Sequence, residues 1–218
     1  VTILFEHHSV FADNQIKGIV SAYANDPEVY GWMSDNELCQ NLKSLDHSLM
    51  LDPEDSRRHY SYATAWTFMY LKTGKANVSL ADVTDELRLE FLAMTYDKYF
   101  EVITSVLDKY DPNHLYMGCR FVSNNYKREP IMRVAGYWCD VVTFNYYGAW
   151  EGSPELMKNI QNWLGDTPFV VTEWYAKGMD VWEKNPAIIN KTGAGWTVRT
   201  QADRGKFYQN YALMLLEC

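Results

Sequence analysis

Two short runs constrain this chain more than anything else in it. Residues 140–147 read DVVTFNYY and residues 168–174 read PFVVTEW. Both are rich in β-branched and aromatic residues and are apolar on successive positions, not alternate ones. Residues 153–164 between them carry helical spacing. Strands buried on both faces and separated by a helix belong to a parallel sheet covered by helices.

The rest of the sequence repeats this alternation. Residues 13–25 predict a helix with Ile16, Ile19, Val20 and Tyr23 on one face. Residues 29–33 form a short apolar run that ends in the polar tip Ser34-Asp35-Asn36-Glu37. Helical periods follow at 56–72, stopped by Gly74, and at 82–109, where Leu87, Phe91, Met94, Phe100 and Val102 are apolar. Asp111-Pro112-Asn113 is a turn signal before a strand at 114–119, and 129–138 reads as a short helix. Residues 177–198, with Gly178, Pro186, Gly193 and Gly195, read as a long loop, and 199–217 as a closing helix.

No Gly-rich phosphate loop follows the first strand, which counts against a nucleotide-binding doubly wound sheet. Polar residues collect at the C-terminal ends of the strands, as in a (β/α)8 TIM barrel. About four strands are legible, whereas a full barrel has eight in about 250 residues. The expectation is an α/β chain of the (β/α)8 type, one partial barrel domain over residues 1–218.

Composition removes several functions. Of 218 residues, 47% are hydrophobic and 15% aromatic, which excludes disorder as the main state. The 20 basic against 28 acidic residues leave a net charge of −8. No basic stripe is present beyond the pair Arg57-Arg58, so no nucleic-acid partner is expected. Apolar runs are too short to span a bilayer, so no membrane insertion is expected. Cys39, Cys119, Cys139 and Cys218 have no metal-binding spacing, and His7-His8 lack a spaced carboxylate partner. No metal and no cofactor are expected. The start VTILFEHHSV resembles a trimmed chain or one that has lost a leader. Two glycosylation sequons, at Asn77 and Asn190, match chance frequency and carry no weight.

Glu37 and Glu173 each close a predicted strand. Cleaving a glycosidic bond needs two carboxyl groups on opposite sides of the anomeric carbon, one to protonate the leaving oxygen and one to attack or to activate water. Two glutamates on the same barrel rim meet that need. With 28 acidic residues, a surface or capping role for either is the competing reading.

The strings GWMSDNEL, DPNHLYMGCRF, CDVVTFNYY and PFVVTEW, in that order, resemble the retaining glycoside hydrolases of clan A, and among them the β-agarase-like enzymes. The resemblance spans roughly residues 20–217. It implies that strands four to seven of the barrel are present and that the first three and the last are missing. It implies Glu37 as acid/base, Glu173 as nucleophile, Asn36 on the sugar 2-hydroxyl, and Tyr146 or Tyr147 orienting the nucleophile. The early strands that usually bring an Arg to the nucleophile have no match. The activity implied is hydrolysis of β-glycosidic bonds in a polysaccharide or oligosaccharide, a galactan such as agarose, by a secreted or periplasmic enzyme.

Arg120 follows a strand and reads equally as a sugar contact or as a structural ion pair. His114 reads as a capping or partly buried residue, and Glu6 as solvated. Asp35 either tunes Glu37 or caps. Trp150, Trp182 and Trp196 fall in predicted loops, where an aromatic face suits a sugar ring. Trp32 and Trp174 are placed to give the carboxyls apolar surroundings, while Trp66 and Trp163 read as core. A binding module that holds polysaccharide through its aromatic residues without cutting it is the alternative function. A metal-dependent hydrolase on the same barrel is a weaker third.

Overall fold

The computed structural model describes residues 2–38, 41–55, 59–187 and 195–217. In chain order the elements are α1 (Thr2–Tyr23), β1 (Gly31–Trp32), α2 (Ser44–Leu49), α3 (His59–Thr73), α4 (Asp85–Tyr110), β2 (Leu115–Tyr116) and α5 (Glu129–Trp138). They continue as β3 (Val142–Asn145), α6 (Pro154–Leu164), β4 (Phe169–Glu173), β5 (Ala176–Gly178), α7 (Met179–Lys184), β6 (Trp196–Val198) and α8 (Gln201–Glu217).

β1 pairs with β2 and β3 with β4, all parallel. A parallel bridge between Phe121 and Phe144, with Phe121 N–H on Thr143 O at 2.9 Å, joins the two pairs. The order β1-β2-β3-β4 therefore runs in sequence, with a helix between successive strands, as in an arc of a (β/α) barrel. Among the described residues the arc does not close.

Helix ends follow local chemistry. Thr84 caps α4 through Leu87 N–H at 3.3 Å, with Asp85 and Glu86 in the first turn. Ser153 caps α6 through Leu156 N–H at 3.2 Å, and Pro154 opens it. α4 lays Leu92, Tyr96, Phe100 and Leu107 along one face onto the strands. There they meet Tyr116, Phe121, Val142 and Phe144 in the main core. Phe91, on a neighbouring face of α4, joins Leu45, Ala65, Phe68, Met69 and Val83 in a second cluster with α2 and α3.

Three expectations need correction. Residues 177–198 are not one loop: β5, α7 and β6 lie there, with β5 parallel to β6. The first helix begins at Thr2, not at residue 13, so His7-His8 fall within it; the side chains of Glu6, His7 and His8 lie outside the described residues. On that helix Val20 is buried, but Ile19 and Tyr23 are exposed. Cys39, Cys218, the Arg57-Arg58 pair and the sequon at Asn190 also fall outside the described residues. No described helix is long and apolar enough to cross a membrane.

Candidate active site

The C-terminal ends of β1, β3 and β4 meet at one buried amide. Asn145, the last residue of β3, is 1% exposed. Its Nδ2 donates to Glu37 Oε1 at 2.9 Å, and its Oδ1 accepts from Thr172 Oγ1 at 2.8 Å. The ladder between β3 and β4 shifts register here, so Asn145 pairs with Glu173 and skips Thr172. Such a bulge re-aims side chains. In this one the Thr172 hydroxyl turns onto Asn145.

Glu173 receives one donor on each oxygen. The Arg120 guanidinium pairs with Oε1 and the Tyr147 hydroxyl donates to Oε2. The Glu173 side chain keeps 30% of its surface exposed, so a substrate can reach it. Burial first, then the hydrogen bond to Glu173 and the charges of Glu173 and Glu37, push the Tyr147 phenol above its usual range. It therefore remains a donor at neutral pH.

The backbone at this rim is unusual. Among the described residues three non-glycine residues have positive φ, and two are Glu37 (60°) and Arg120 (50°). They are bonded to each other: Glu37 N–H donates to Arg120 O at 3.1 Å. Side chains in this region of φ carry a steric cost, and such residues cluster at functional sites.

No protein-family model matches the sequence. A curated relative, Beta-agarase B of Vibrio sp. (strain JT0107), is 30% identical over 129 residues, 56% of this chain and 12% of that protein. The crystal structure of BpGH50 superposes with a TM-score of 0.78 at 35% identity, over 94% of this chain and 45% of its own. An exo-beta-agarase superposes with a TM-score of 0.70 at 23% identity, over 96% of this chain and 31% of its own. The fold is β-agarase-like. The resemblance to the β-agarase-like members of clan A thus holds in sequence and in backbone. This β-agarase-like chain spans only part of each relative, 12% of the curated protein and 45% of BpGH50.

Within the β-agarase-like frame the sequence candidates separate. Glu37, Glu173, Arg120 and Tyr147 come together. Tyr146 does not: it is buried, its hydroxyl accepts from Ser153 N–H at 3.1 Å, and it packs on Tyr211. Arg120, in the segment after β2, forms an ion pair with Glu173, one of the two readings its sequence position allowed. Asn36 is exposed, and Asp35 accepts its N–H at 2.7 Å within the turn, where no helix begins.

Trp32 does not shield a carboxyl. Its indole donates to Asp111 at 2.7 Å, beside His114, at the opposite end of the strands. Trp174 stacks on Tyr211 at 4.5 Å and Trp150 packs edge-on against Phe207 at 5.3 Å, so both are engaged by α8. Trp196 is 46% exposed on β6. Trp182 lines a depression of about 360 Å³ with Tyr175, Lys177, Gln201 and Arg204. Trp66 stacks on Tyr70 and Trp163 packs against the main core. His114 bonds Asp111 at 2.6 Å and Asp26 O at 3.1 Å, a structural role. Among the described residues no group of three or more His, Cys, Asp or Glu is gathered to hold a metal ion.

Sequence reasoning missed Asn145 and Thr172. A signal existed for the first. Thr143, Asn145 and Tyr147 alternate along β3 and beyond it, so one strand face is polar and carries both partners of the carboxyl pair.

Proposed function

We propose that this chain carries the carboxylate pair of a retaining glycoside hydrolase that cleaves β-glycosidic bonds in a galactan such as agarose. The observation that carries the reading is that Asn145, whose amide holds Glu37, is the ladder partner of Glu173, which is itself held by Arg120 and Tyr147. The names of the relatives, β-agarases among them, favour agarose.

In this mechanism Glu173 attacks the anomeric carbon, and the bond to the leaving oxygen breaks as Glu37 delivers its proton. Glu37 then takes a proton from the water that attacks the glycosyl ester, and Glu173 is released. Two inversions leave the anomeric configuration retained. Arg120 and Tyr147 hold the two oxygens of Glu173 for attack, and Asn145 holds Glu37. Asn36, Trp150, Trp174 and Trp196 are the proposed sugar contacts. Because the polymer is too large to enter a cell, the site of action is secreted or periplasmic.

The test is release of reducing ends from agarose by the chain and by Glu173→Gln and Glu37→Gln. The expected result is activity in the parent and loss of turnover in Glu173→Gln with the fold intact, with the β anomer formed first by NMR. Undiminished hydrolysis by Glu173→Gln would end this reading. Retention of agarose by a parent that cuts nothing would instead support the binding module.

A further inference from the structure

The loop that carries Glu37 is tied at both ends to one helix. At its start, the Tyr99 hydroxyl donates to Ser34 Oγ at 2.7 Å, and Ser34 Oγ lies 2.7 Å from the Tyr116 hydroxyl. At its end, the Tyr96 hydroxyl donates to the Leu38 carbonyl at 2.9 Å. Behind Tyr96 stands a buried relay. Asn125 Nδ2 donates to the Tyr96 hydroxyl at 2.9 Å, and Arg128 Nη1 donates to Asn125 Oδ1 at 2.8 Å.

Tyr96 and Tyr99 are three apart on α4, so they share a helix face. That face is anchored in the main core through Tyr96 and Phe100, which have no exposed surface. Glu37 lies between the two tethers with φ at 60°. A non-glycine residue persists there only where its surroundings over-determine it. Glu37 itself is bonded to Arg120 O and Asn145, and the two tyrosine hydroxyls add a constraint on its flanking residues from a rigid element.

We propose that Tyr96 and Tyr99 are positioning residues that hold Glu37 in its proton-transfer geometry, through the Leu38 carbonyl and the Ser34 hydroxyl. This rests on the reading of Glu37 as acid/base. Neither tyrosine touches substrate. Each Tyr→Phe change removes one hydroxyl and keeps the ring, as Tyr96 packs on Phe121 at 5.2 Å and Tyr99 on Phe100 at 5.3 Å.

The readout is dependence on the leaving group. Agarose leaves through an alcohol that needs a proton, whereas a dinitrophenyl β-glycoside of an agarose oligosaccharide leaves without one. Tyr96→Phe and Tyr99→Phe are compared with Glu37→Gln and with Tyr110→Phe. Tyr110 lies on the same helix and bonds Asp13, so it controls for loss of a hydroxyl as such. Both test variants are expected to lose roughly 10- to 100-fold in kcat/KM on agarose, the scale of a small misplacement of a reacting group. Their initial burst of dinitrophenolate should stay within about twofold of the parent. Tyr110→Phe should lose on neither substrate. Amide exchange at residues 34–38, followed by mass spectrometry, should quicken in Tyr96→Phe and Tyr99→Phe only.

Loss on agarose in Glu37→Gln but in neither tyrosine variant overturns the positioning role alone. So does an equal loss on both substrates. Full activity of Glu37→Gln on both overturns the acid/base reading, and the proposal with it. Unchanged exchange at residues 34–38 overturns the proposal whatever the activities.

Discussion

Asn145 is the residue that holds Glu37, and both ends of its amide are engaged. The nitrogen is committed to Glu37 and the oxygen to Thr172, inside a site with 1% of the residue exposed. Asn145→Ala removes the donor to Glu37 Oε1 and leaves the Thr172 hydroxyl to its longer bond with Phe144 O at 3.3 Å. A buried group stripped of its partner destabilises by about 1–3 kcal/mol. The variant should show that loss in urea unfolding together with a fall in kcat on agarose, while Thr172→Val should lose stability with a smaller effect on kcat. Equal kcat in Asn145→Ala and the parent would remove Asn145 from the site. At this scale the sequence was partly legible. Glu37 and Glu173 were visible because each follows an apolar run. Tyr147 could not be told from Tyr146 by residue type, since both are tyrosines; only strand alternation separates them. Thr172 was not legible at all, because a bulge leaves no mark in composition.

The elements themselves are held by close contacts and by one buried acid. α5 meets α6 at Gly136, where an added Cβ would lie 2.6 Å from Leu164 O and 3.0 Å from its Cα. Backbone cannot retreat as a side-chain tip can, so Gly136→Ala should destabilise by about 1–3 kcal/mol, read as a lower urea midpoint at unchanged slope. Gly152→Ala is the contrast: its nearest neighbour is the flexible end of Met214, and its cost should be smaller.

Between α4 and β2, the Asp111 side chain has no exposed surface. Burial pushes its carboxyl up, but the Trp32 indole, the His114 ring and the N–H groups of Asn113 and His114 outweigh that and leave it below the usual value. A lowered folded-state value means stability that is complete above the unfolded value of about 3.9 and is lost as pH falls through the folded one. Stability of the parent should therefore drop below about pH 4, and Asp111→Asn should flatten that part of the curve. Parallel curves for the two would refute the assignment. Strands and long helices at this scale were legible from periodicity. β5 and β6 were not, because three residues are too few for a period to show and, among the described residues, each pairs with the other alone.

At the scale of the whole molecule, charge separates substrates that the site alone does not. The chain carries 28 acidic against 20 basic residues, a formal net charge of −8. Agarose is uncharged, so this field exerts no long-range force on it. A galactan bearing sulfate esters is an anion and is repelled over a distance set by salt. That distance is about 30 Å at 0.01 M and about 8 Å at 0.15 M ionic strength. Hydrolysis of agarose at low substrate should thus be flat across this range, while hydrolysis of a sulfated galactan should rise as salt is added. Rates of reducing-end release on both polymers, at matched pH, check this. The opposite slope for the sulfated polymer has a definite meaning in this fold. It would show that local cations outweigh the net field, and the basic groups near the rim are Arg120 on Glu173 and Lys177 with Arg204 in the depression beside Tyr175. Tyr175, which lines that depression, packs edge-on against Tyr147 at 5.5 Å, so the depression is linked to the partner of Glu173 through one aromatic ring. A rate that falls with salt would therefore make Lys177 and Arg204 determinants of specificity for charged galactans, and Arg204→Gln should then abolish the fall while leaving agarose hydrolysis as it was.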